Sequence, residues 1–267
     1  MIRSANNLIG YKLGALDGEF GKVRDFYFDD QSWTIRYLVA DTGGWLAGLQ
    51  VLISPFAVKS IVDSIKHINV SLTAEQIAKS PPIDSDKPVS RQFELKYHQY
   101  FGWPMYWYGP ALWGPGPFPV FQGSIPDDSQ PEPESSGNPH LRSIGEVLGY
   151  HIRARDHEIG HVHDFLIDDE NWSIRYLVVD TRNWWPGKKV LLSPQWIERV
   201  SWQEAMVHVD LLRETIKAAP EFARPISREY EESLYRHYEK DPYWSQHPHD
   251  HGLGKRATAE KSEAAKN

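Results

Sequence analysis

The chain contains 267 residues, with no cysteine and a formal net charge of −7. Without cysteine it has no disulfide, thiolate metal site or cysteine nucleophile. The negative charge disfavours direct contact with nucleic-acid phosphates, because no run of Lys and Arg offsets it. The first seven residues lack the apolar core of a secretory signal, and no window reaches the roughly 18 apolar residues of a transmembrane segment. The sequence therefore predicts a cytoplasmic protein that makes no direct contact with nucleic acid.

An internal repeat is the main feature of the sequence. An offset of 139 aligns residues 10–55 with 149–194 without a gap, and 25 of those 46 positions are identical. Such self-similarity indicates a duplicated structural unit. The predicted organisation is a first repeat over 1–104, a linker over 105–139, a second repeat over 140–245 and a disordered tail over 246–267.

Short runs rich in apolar, β-branched and aromatic residues predict six strands in the first repeat. The predicted strands cover residues 8–13, 21–29, 33–41, 50–53, 57–62 and 67–70. Their number and spacing favour a small closed β-barrel, which leaves no strand edge exposed. The second repeat follows the same pattern.

Alternation along the third predicted strand places Ile35, Tyr37 and Val39 on its core face and Arg36 on the outward face. The full predicted core contains five residues of the first repeat and their counterparts in the second: Phe26, Ile35, Tyr37, Val39, Leu52, Phe165, Ile174, Tyr176, Val178 and Leu191.

Two short helices are predicted after each barrel. Thr73 and Gln76 have the spacing of a capping box, and Ser90 and Ser227 are placed to cap the second helix of each repeat. In the first repeat, the apolar side of this helix is predicted to contain Phe93, Tyr97, Tyr100 and Phe101. The predicted fold class is therefore mainly β with accessory helices: two tandem six-stranded barrels, each followed by two short helices.

The linker begins with an unusual segment, residues 107–119, that is rich in Pro, Gly and aromatic residues. Pro and Gly at this density prevent a helix or a central strand. One interpretation is that its rings cover an apolar patch on a neighbouring barrel. The other is that the segment docks on another subunit or protein.

Both repeats resemble the PRC-barrel family. In the first repeat the resemblance is carried by residues 21–26, 33–39 and 51–55, and in the second by residues 160–165, 172–178 and 190–194. The family is a six-stranded barrel found in the cytoplasmic part of the photosynthetic reaction-centre H subunit and in the C-terminal half of a ribosome maturation factor. The resemblance covers about residues 6–72 and 145–211, and it implies a fold rather than an activity.

The sequence offers few candidates for chemistry. His161 and His163 are predicted to share a strand face and would offer two imidazoles to a metal ion, but the first repeat has Lys22 and Arg24 at these positions, which favours a solvated polar role. The recurring Asp residues have positions typical of turns. No nucleophile triad or phosphate loop accompanies them. The prediction is a protein that is not an enzyme and has no cofactor.

The predicted function is that of an adaptor or scaffold that binds a protein partner, because surfaces rich in Trp, Tyr and Arg have the composition of interface anchors. The candidate interaction residues are Trp33, Arg36, Trp45, Trp107, Trp113, Trp172, Arg175, Trp184 and Trp185. The two barrels are expected to pack on each other, within one chain or in a homodimer.

Three alternatives remain open. The resemblance to the H subunit implies an accessory role in a membrane or photosynthetic complex, with peripheral membrane association through the linker aromatics. The resemblance to the maturation factor implies work on ribosomes or RNA. A metal-dependent enzyme is the third alternative.

Overall fold

The computed structural model describes residues 1–46, 50–81, 89–120, 140–181 and 187–245. In the first repeat the elements are β1 (Ile2–Ser4), α1 (Ala5–Leu8), β2 (Lys12–Ala15), β3 (Gly18–Asp29), β4 (Thr34–Asp41), β5 (Gln50–Ile53), β6 (Val58–Val62), β7 (His67–Val70), α2 (Ala74–Ala78) and α3 (Arg91–Phe101). In the second repeat they are β8 (Leu141–Ser143), α4 (Ile144–Val147), β9 (His151–Arg153), β10 (Glu158–Asp168), β11 (Ile174–Asp180), β12 (Lys189–Leu192), β13 (Ile197–Ser201), β14 (Met206–Val209), α5 (Arg213–Ala218) and α6 (Arg228–His237). The mainly β fold class with accessory helices is confirmed.

The two sheets have the same strand order. It is β5-β4-β3-β2-β7-β6 in the first repeat and β12-β11-β10-β9-β14-β13 in the second. The prediction of closed barrels is wrong, because no pairing among the described strands joins β5 to β6 or β12 to β13. Each sheet stays open, and one further strand pairs with its long interior strand, β3 or β10, rather than with a terminal strand.

Each repeat contributes its first strand to the sheet of the other repeat. Strand β3 is much longer than β2, so its end at Tyr27–Asp29 extends beyond β2 and pairs with β8. In the same way, β1 pairs with the end of β10, with Ile2 opposite Asp168. This reciprocal exchange joins the repeats by main-chain hydrogen bonds in both directions, so the expected packing of the two repeats occurs within the chain.

Polar side chains reinforce the exchange at both ends. The Ser4 hydroxyl donates to the Asp164 carboxylate of the second repeat, which is buried and also accepts a hydrogen bond from the Asn6 main-chain N–H at 3.0 Å. Ser143 and the N–H of Gly145 bind Asp25 of the first repeat in the same manner. These hydrogen bonds offset part of the cost of burying the Asp164 carboxylate, whereas burial still raises the pKa of Asp25 despite its bonds to Ser143 and Gly145.

Strands β4 and β11 each contain one extra residue relative to the strand beside them. The extra residue is Arg36 in β4 and Arg175 in β11, as shown by the register shifts against β3 and β10. Such a β-bulge redirects the side chains on either side of it. Ile35 therefore packs in a different apolar cluster from Tyr37, and the prediction that the two share one core face is wrong.

Both faces of β4 are buried. One face belongs to the large core that continues into the second repeat, and the other packs under α3, where Tyr37, Val39 and Leu52 meet Tyr97. All ten predicted core residues are buried, as predicted. The error concerned which face each one occupies.

The helix caps were predicted correctly. Thr73 and Gln76 form a capping box at the start of α2, and the hydroxyls of Ser90 and Ser227 accept hydrogen bonds from N–H groups in the first turns of α3 and α6. Tyr100 is 42% exposed, so it does not belong to the buried side of α3 as predicted. In the described ranges, no helix is long and apolar enough to cross a membrane.

Candidate interaction clefts

Two related clefts lie where the repeats meet, beside the turns that precede β4 and β11. The turns end at Trp33 and Trp172, which have the unusual positive φ angles of 50° and 63°. Each turn pairs with the other, because the Ile35 N–H donates to the Trp172 carbonyl and the Ile174 N–H donates to the Trp33 carbonyl. This crossing places each turn of one repeat against the bulge of the other.

The cleft of the first repeat is filled by the linker, and we call it the linker-filled cleft. Trp113 lies in it with 1% of its surface exposed. Its indole N–H donates to the Asn171 carbonyl of the second repeat at 2.9 Å, and its ring centroid is 5.2 Å from that of Phe56. The linker aromatics therefore dock on the repeats of their own chain, which supports the first of the two interpretations for this segment.

Arg36, the bulge residue, forms the floor of the linker-filled cleft. Its guanidinium carbon lies 3.9 Å from the Tyr106 ring centroid and 4.8 Å from that of Trp113. It donates to the Leu112 carbonyl at 2.7 Å, while Asp29 is 3.9 Å away. Burial lowers the pKa of Arg36 despite these neighbours, and contacts with aromatic faces offset part of the cost of burying the charge. Arg36 is thus buried rather than directed outward as predicted.

The corresponding cleft of the second repeat is open, and we call it the open cleft. It has a volume of about 340 Å³, within the range of roughly 300–1,000 Å³ found for ligand pockets. The four residues around Trp113 are Arg36, Phe56, Tyr106 and Asn171, and their counterparts Arg175, Gln195, Tyr243 and Ser32 all line this cleft. The duplication has therefore produced two equivalent positions, of which one is filled by the linker.

Arg175 forms a closer ion pair with its neighbouring Asp than Arg36 does. Its Nε and Nη2 both donate to Asp168, at 3.0 and 2.6 Å. Its guanidinium carbon lies 4.0 Å from the Tyr243 ring centroid. Gln195 is exposed where Phe56 is partly buried. The open cleft thus contains the guanidinium of Arg175, the ring of Tyr243 and, exposed at its rim, the polar side chain of Gln195.

A buried polar network lies behind the linker-filled cleft. Glu94 of α3 contacts the hydroxyls of Tyr106 and Tyr37 at 2.6 and 3.0 Å, and Arg91 lies 2.9 Å from its other oxygen. Burial raises the pKa of the Glu94 carboxyl to about 7, although Arg91 and the two hydroxyls favour its charged form. Burial also raises the pKa values of Tyr37 and Tyr106 well above their ordinary value.

His98 completes this network as a neutral imidazole. Its Nδ1 lies 2.8 Å from the Pro104 carbonyl, which can only accept, so Nδ1 carries the proton. Its Nε2 then accepts from the Tyr37 hydroxyl at 2.9 Å. Burial lowers the pKa of His98 to about 4. The Tyr37 hydroxyl also lies 3.0 Å from Oε1 of Glu94, so it links the histidine to the carboxyl group.

The second repeat keeps the carboxylate of this network and loses the histidine. Glu231 accepts from Tyr176 at 2.8 Å and from Tyr243 at 3.2 Å. Tyr235 replaces His98, and burial raises the pKa of its hydroxyl, although hydrogen bonds with Ser193 and Tyr176 lower it. The correspondence has an offset of 137 and continues to Tyr106-Trp107 and Tyr243-Trp244, beyond the predicted repeat end at residue 104. This recurrence is the sequence signal that would have identified Tyr243.

The predicted interaction residues occupy different environments. Trp113 and Trp172 are buried, Trp107 is partly buried, and Trp45 is 42% exposed. Trp33 and Arg175 are brought together at the open cleft. Trp184 and Trp185 lie outside the described residues.

The candidate chemical residues have structural partners. The Lys189 ammonium lies 2.7 Å from Nε2 of His163, and in the described ranges no cluster of three or more His, Asp or Glu side chains is placed to hold a metal ion. The histidines of residues 247–251 lie outside those ranges. Asp29 accepts hydrogen bonds from the N–H groups of Gln31 and Ser32, and Asp41 accepts one from Gly43, which is the local role that the turn interpretation predicted. Asp17 and Asp156 instead accept from N–H groups at the start of distant helices.

Comparison with known proteins agrees with the fold. Residues 140–216 match the family model of the PRC-barrel domain. The second repeat is therefore a PRC-barrel domain, and the resemblance described for it is confirmed. A search of curated proteins gives no match to the chain.

Proposed function

We propose that the chain is an adaptor without enzymatic activity that binds a protein partner, and that its first repeat is a second PRC-barrel copy. The observation that carries the first part is the linker-filled cleft, in which this fold already binds a Pro- and Gly-rich turn through Trp113 and Arg36. The second part is supported by the identical strand order of the two sheets.

The arrangement suits a scaffold better than a catalyst. Reciprocal strand exchange gives two repeats that are fixed relative to each other, as a platform for simultaneous contacts requires. The perturbed groups Glu94 and His98 are fully buried and bonded to each other through Tyr37, so substrate does not reach them. Perturbed pKa values in this case report burial within a structural network.

The test is to isolate the tagged chain from its native host, identify any stoichiometric partner, and reconstitute the complex from purified components. We expect a single protein partner with a saturable binding isotherm. Recovery of ribosomal or membrane-complex subunits would place the adaptor in one of those assemblies. The proposal fails if no partner reconstitutes while one metal ion per chain is retained and is lost on changing His161 and His163 to Ala.

A further inference from the structure

The segment after the second repeat does not supply an aromatic residue at the position that corresponds to Trp113. The offset of 137 that relates Tyr106 to Tyr243 places Asp250 at the position of Trp113, and no Trp, Tyr or Phe follows Trp244. The lining itself remains suited to a ring, because Trp33, Tyr243 and Ile197 surround Arg175. The open cleft therefore keeps a lining like that of the linker-filled cleft, but the segment after the second repeat carries no Trp at the corresponding position.

One hydrogen-bond donor in the cleft is also left over. In the linker-filled cleft, Nη1 of Arg36 donates to the Leu112 carbonyl, next to Trp113. Arg175 uses Nε and Nη2 for Asp168, and its Nη1 donates to none of the described residues. A main-chain carbonyl next to an inserted ring would accept from it, as Leu112 does from Arg36.

We propose that the open cleft binds a Pro- and Gly-rich turn of a partner protein, which inserts a Trp side chain against Arg175 and Tyr243 and gives a carbonyl to Arg175. This assignment rests on the proposed adaptor function and names the chemistry of the partner. The template is the chain's own linker, whose Pro119 and Val120 continue along the related surface beside Trp172. In the linker, Trp113 lies in a tight turn closed by hydrogen bonds between Ala111 and Gly114. Pro and Gly favour such turns, so a segment of this composition presents the ring with little loss of conformational entropy.

The probe is a labelled synthetic peptide that copies residues 108–119, added to the full-length chain, with affinity measured by fluorescence anisotropy. Replacing the peptide's Trp by Ala should weaken binding at least about tenfold, as for a buried hot-spot residue. In the chain, Gln195→Phe restores the residue type of Phe56 and should strengthen binding about two- to tenfold through an added aromatic pair. Gln195→Lys places a second cation beside Arg175 and should weaken it.

Controls keep these results interpretable. Gln195 is exposed and its side chain makes no hydrogen bond with the described residues, so both substitutions should leave the unfolding curve unchanged. Trp45→Ala removes an exposed Trp that does not line the cleft and should leave peptide affinity unchanged. A photoreactive group in place of the peptide's Trp should cross-link to the open cleft near Gln195 or Tyr243, rather than near Phe56.

Three results would overturn the proposal. The first is peptide binding that ignores both Gln195 substitutions, or no binding. The second is at least tenfold tighter binding to a chain that ends at Ser245, since the chain's own tail would then be the occupant. The third is a reconstituted natural partner that binds the Gln195→Lys chain as tightly as the native chain. That third result leaves the adaptor proposal intact, because the peptide assay and the partner assay are independent.

Discussion

The paired titration of Glu94 and His98 gives the sharpest prediction for stability. Burial moves their pKa values in opposite directions, from 4.5 to about 7 for Glu94 and from 6.5 to about 4 for His98. Between pH 4.5 and 6.5 the folded state therefore holds one proton on Glu94, while the unfolded state holds one on His98. Because both states bind one proton, the pair contributes no slope to the free energy of unfolding in this window.

In the native chain the pH dependences contributed by Glu94 and His98 to the free energy of unfolding cancel, and a single substitution should reveal each of them. In Glu94→Gln only His98 remains, the unfolded state binds more protons than the folded state, and stability should rise with pH relative to the native chain. In His98→Asn only Glu94 remains, the folded state binds more protons, and stability should fall. Over two pH units, the change in the free energy of unfolding should be roughly 2–3 kcal/mol in either direction.

The measurement is urea unfolding, followed by tryptophan fluorescence, at half-unit steps from pH 4.5 to 6.5. The control is the double variant, whose stability should follow the native chain in slope because both titrating groups are absent. Slopes are compared rather than absolute values, since each substitution also removes hydrogen bonds at all pH values. The reasoning is refuted if Glu94→Gln and His98→Asn change the slope in the same direction, or if neither changes it.

The remaining predictions concern the packing of the repeats and are read from urea unfolding. Asp164→Ala leaves the donors of the exchanged segment unsatisfied and should lower the free energy of unfolding by about 2–4 kcal/mol; an unchanged value would mean that this contact does not hold the exchange. Trp113→Ala empties the linker-filled cleft and should cost about 3–5 kcal/mol, whereas Trp45→Ala, which removes one ring contact with Phe20, should cost at most about 1.5 kcal/mol. Equal costs for the two Trp substitutions would argue against linker docking. Gly160→Ala would place its Cβ 2.0 Å from the Asp180 carbonyl oxygen, so it should destabilise by more than about 1 kcal/mol, and a neutral effect would contradict the close approach of these strands.

The strands and caps were predictable because their signals are local. Period-two runs bounded by Gly and Asp identify strands, and a hydroxyl at the N-cap satisfies N–H groups within the next three residues. The duplication strengthened each of these predictions, because the same pattern occurs in both repeats. The same alternation predicted correctly that the residues of β4 are buried. It did not predict that Ile35 packs on the opposite side of the strand from Tyr37. A bulge at Arg36 is set by pairing with another strand, which a single strand's alternation does not report.

The strand exchange could not be predicted from either repeat alone. Strands β1 and β8 have three residues each, and nothing in Ile2–Ser4 specifies which sheet it joins. A subtler signal was present, since Arg3 and Arg142 recur together with Asp30 and Asp169. In the structure these charges pair between repeats, Arg3 with Asp169 and Arg142 with Asp30. Complementary charges conserved by the duplication but far apart in each copy are what a reciprocal contact requires.

The clefts depend on this exchange. Two free domains on a flexible linker would have no fixed junction, whereas the crossed turns at Trp33 and Trp172 create two equivalent surfaces. Symmetry alone would fill both clefts or neither. The segments that follow the repeats break it, because the segment after the first repeat carries Trp113 and the one after the second repeat does not. In the duplicated chain, one cleft binds the linker through Trp113 and so joins the linker to both repeats. The related cleft around Arg175 is available for a different ligand.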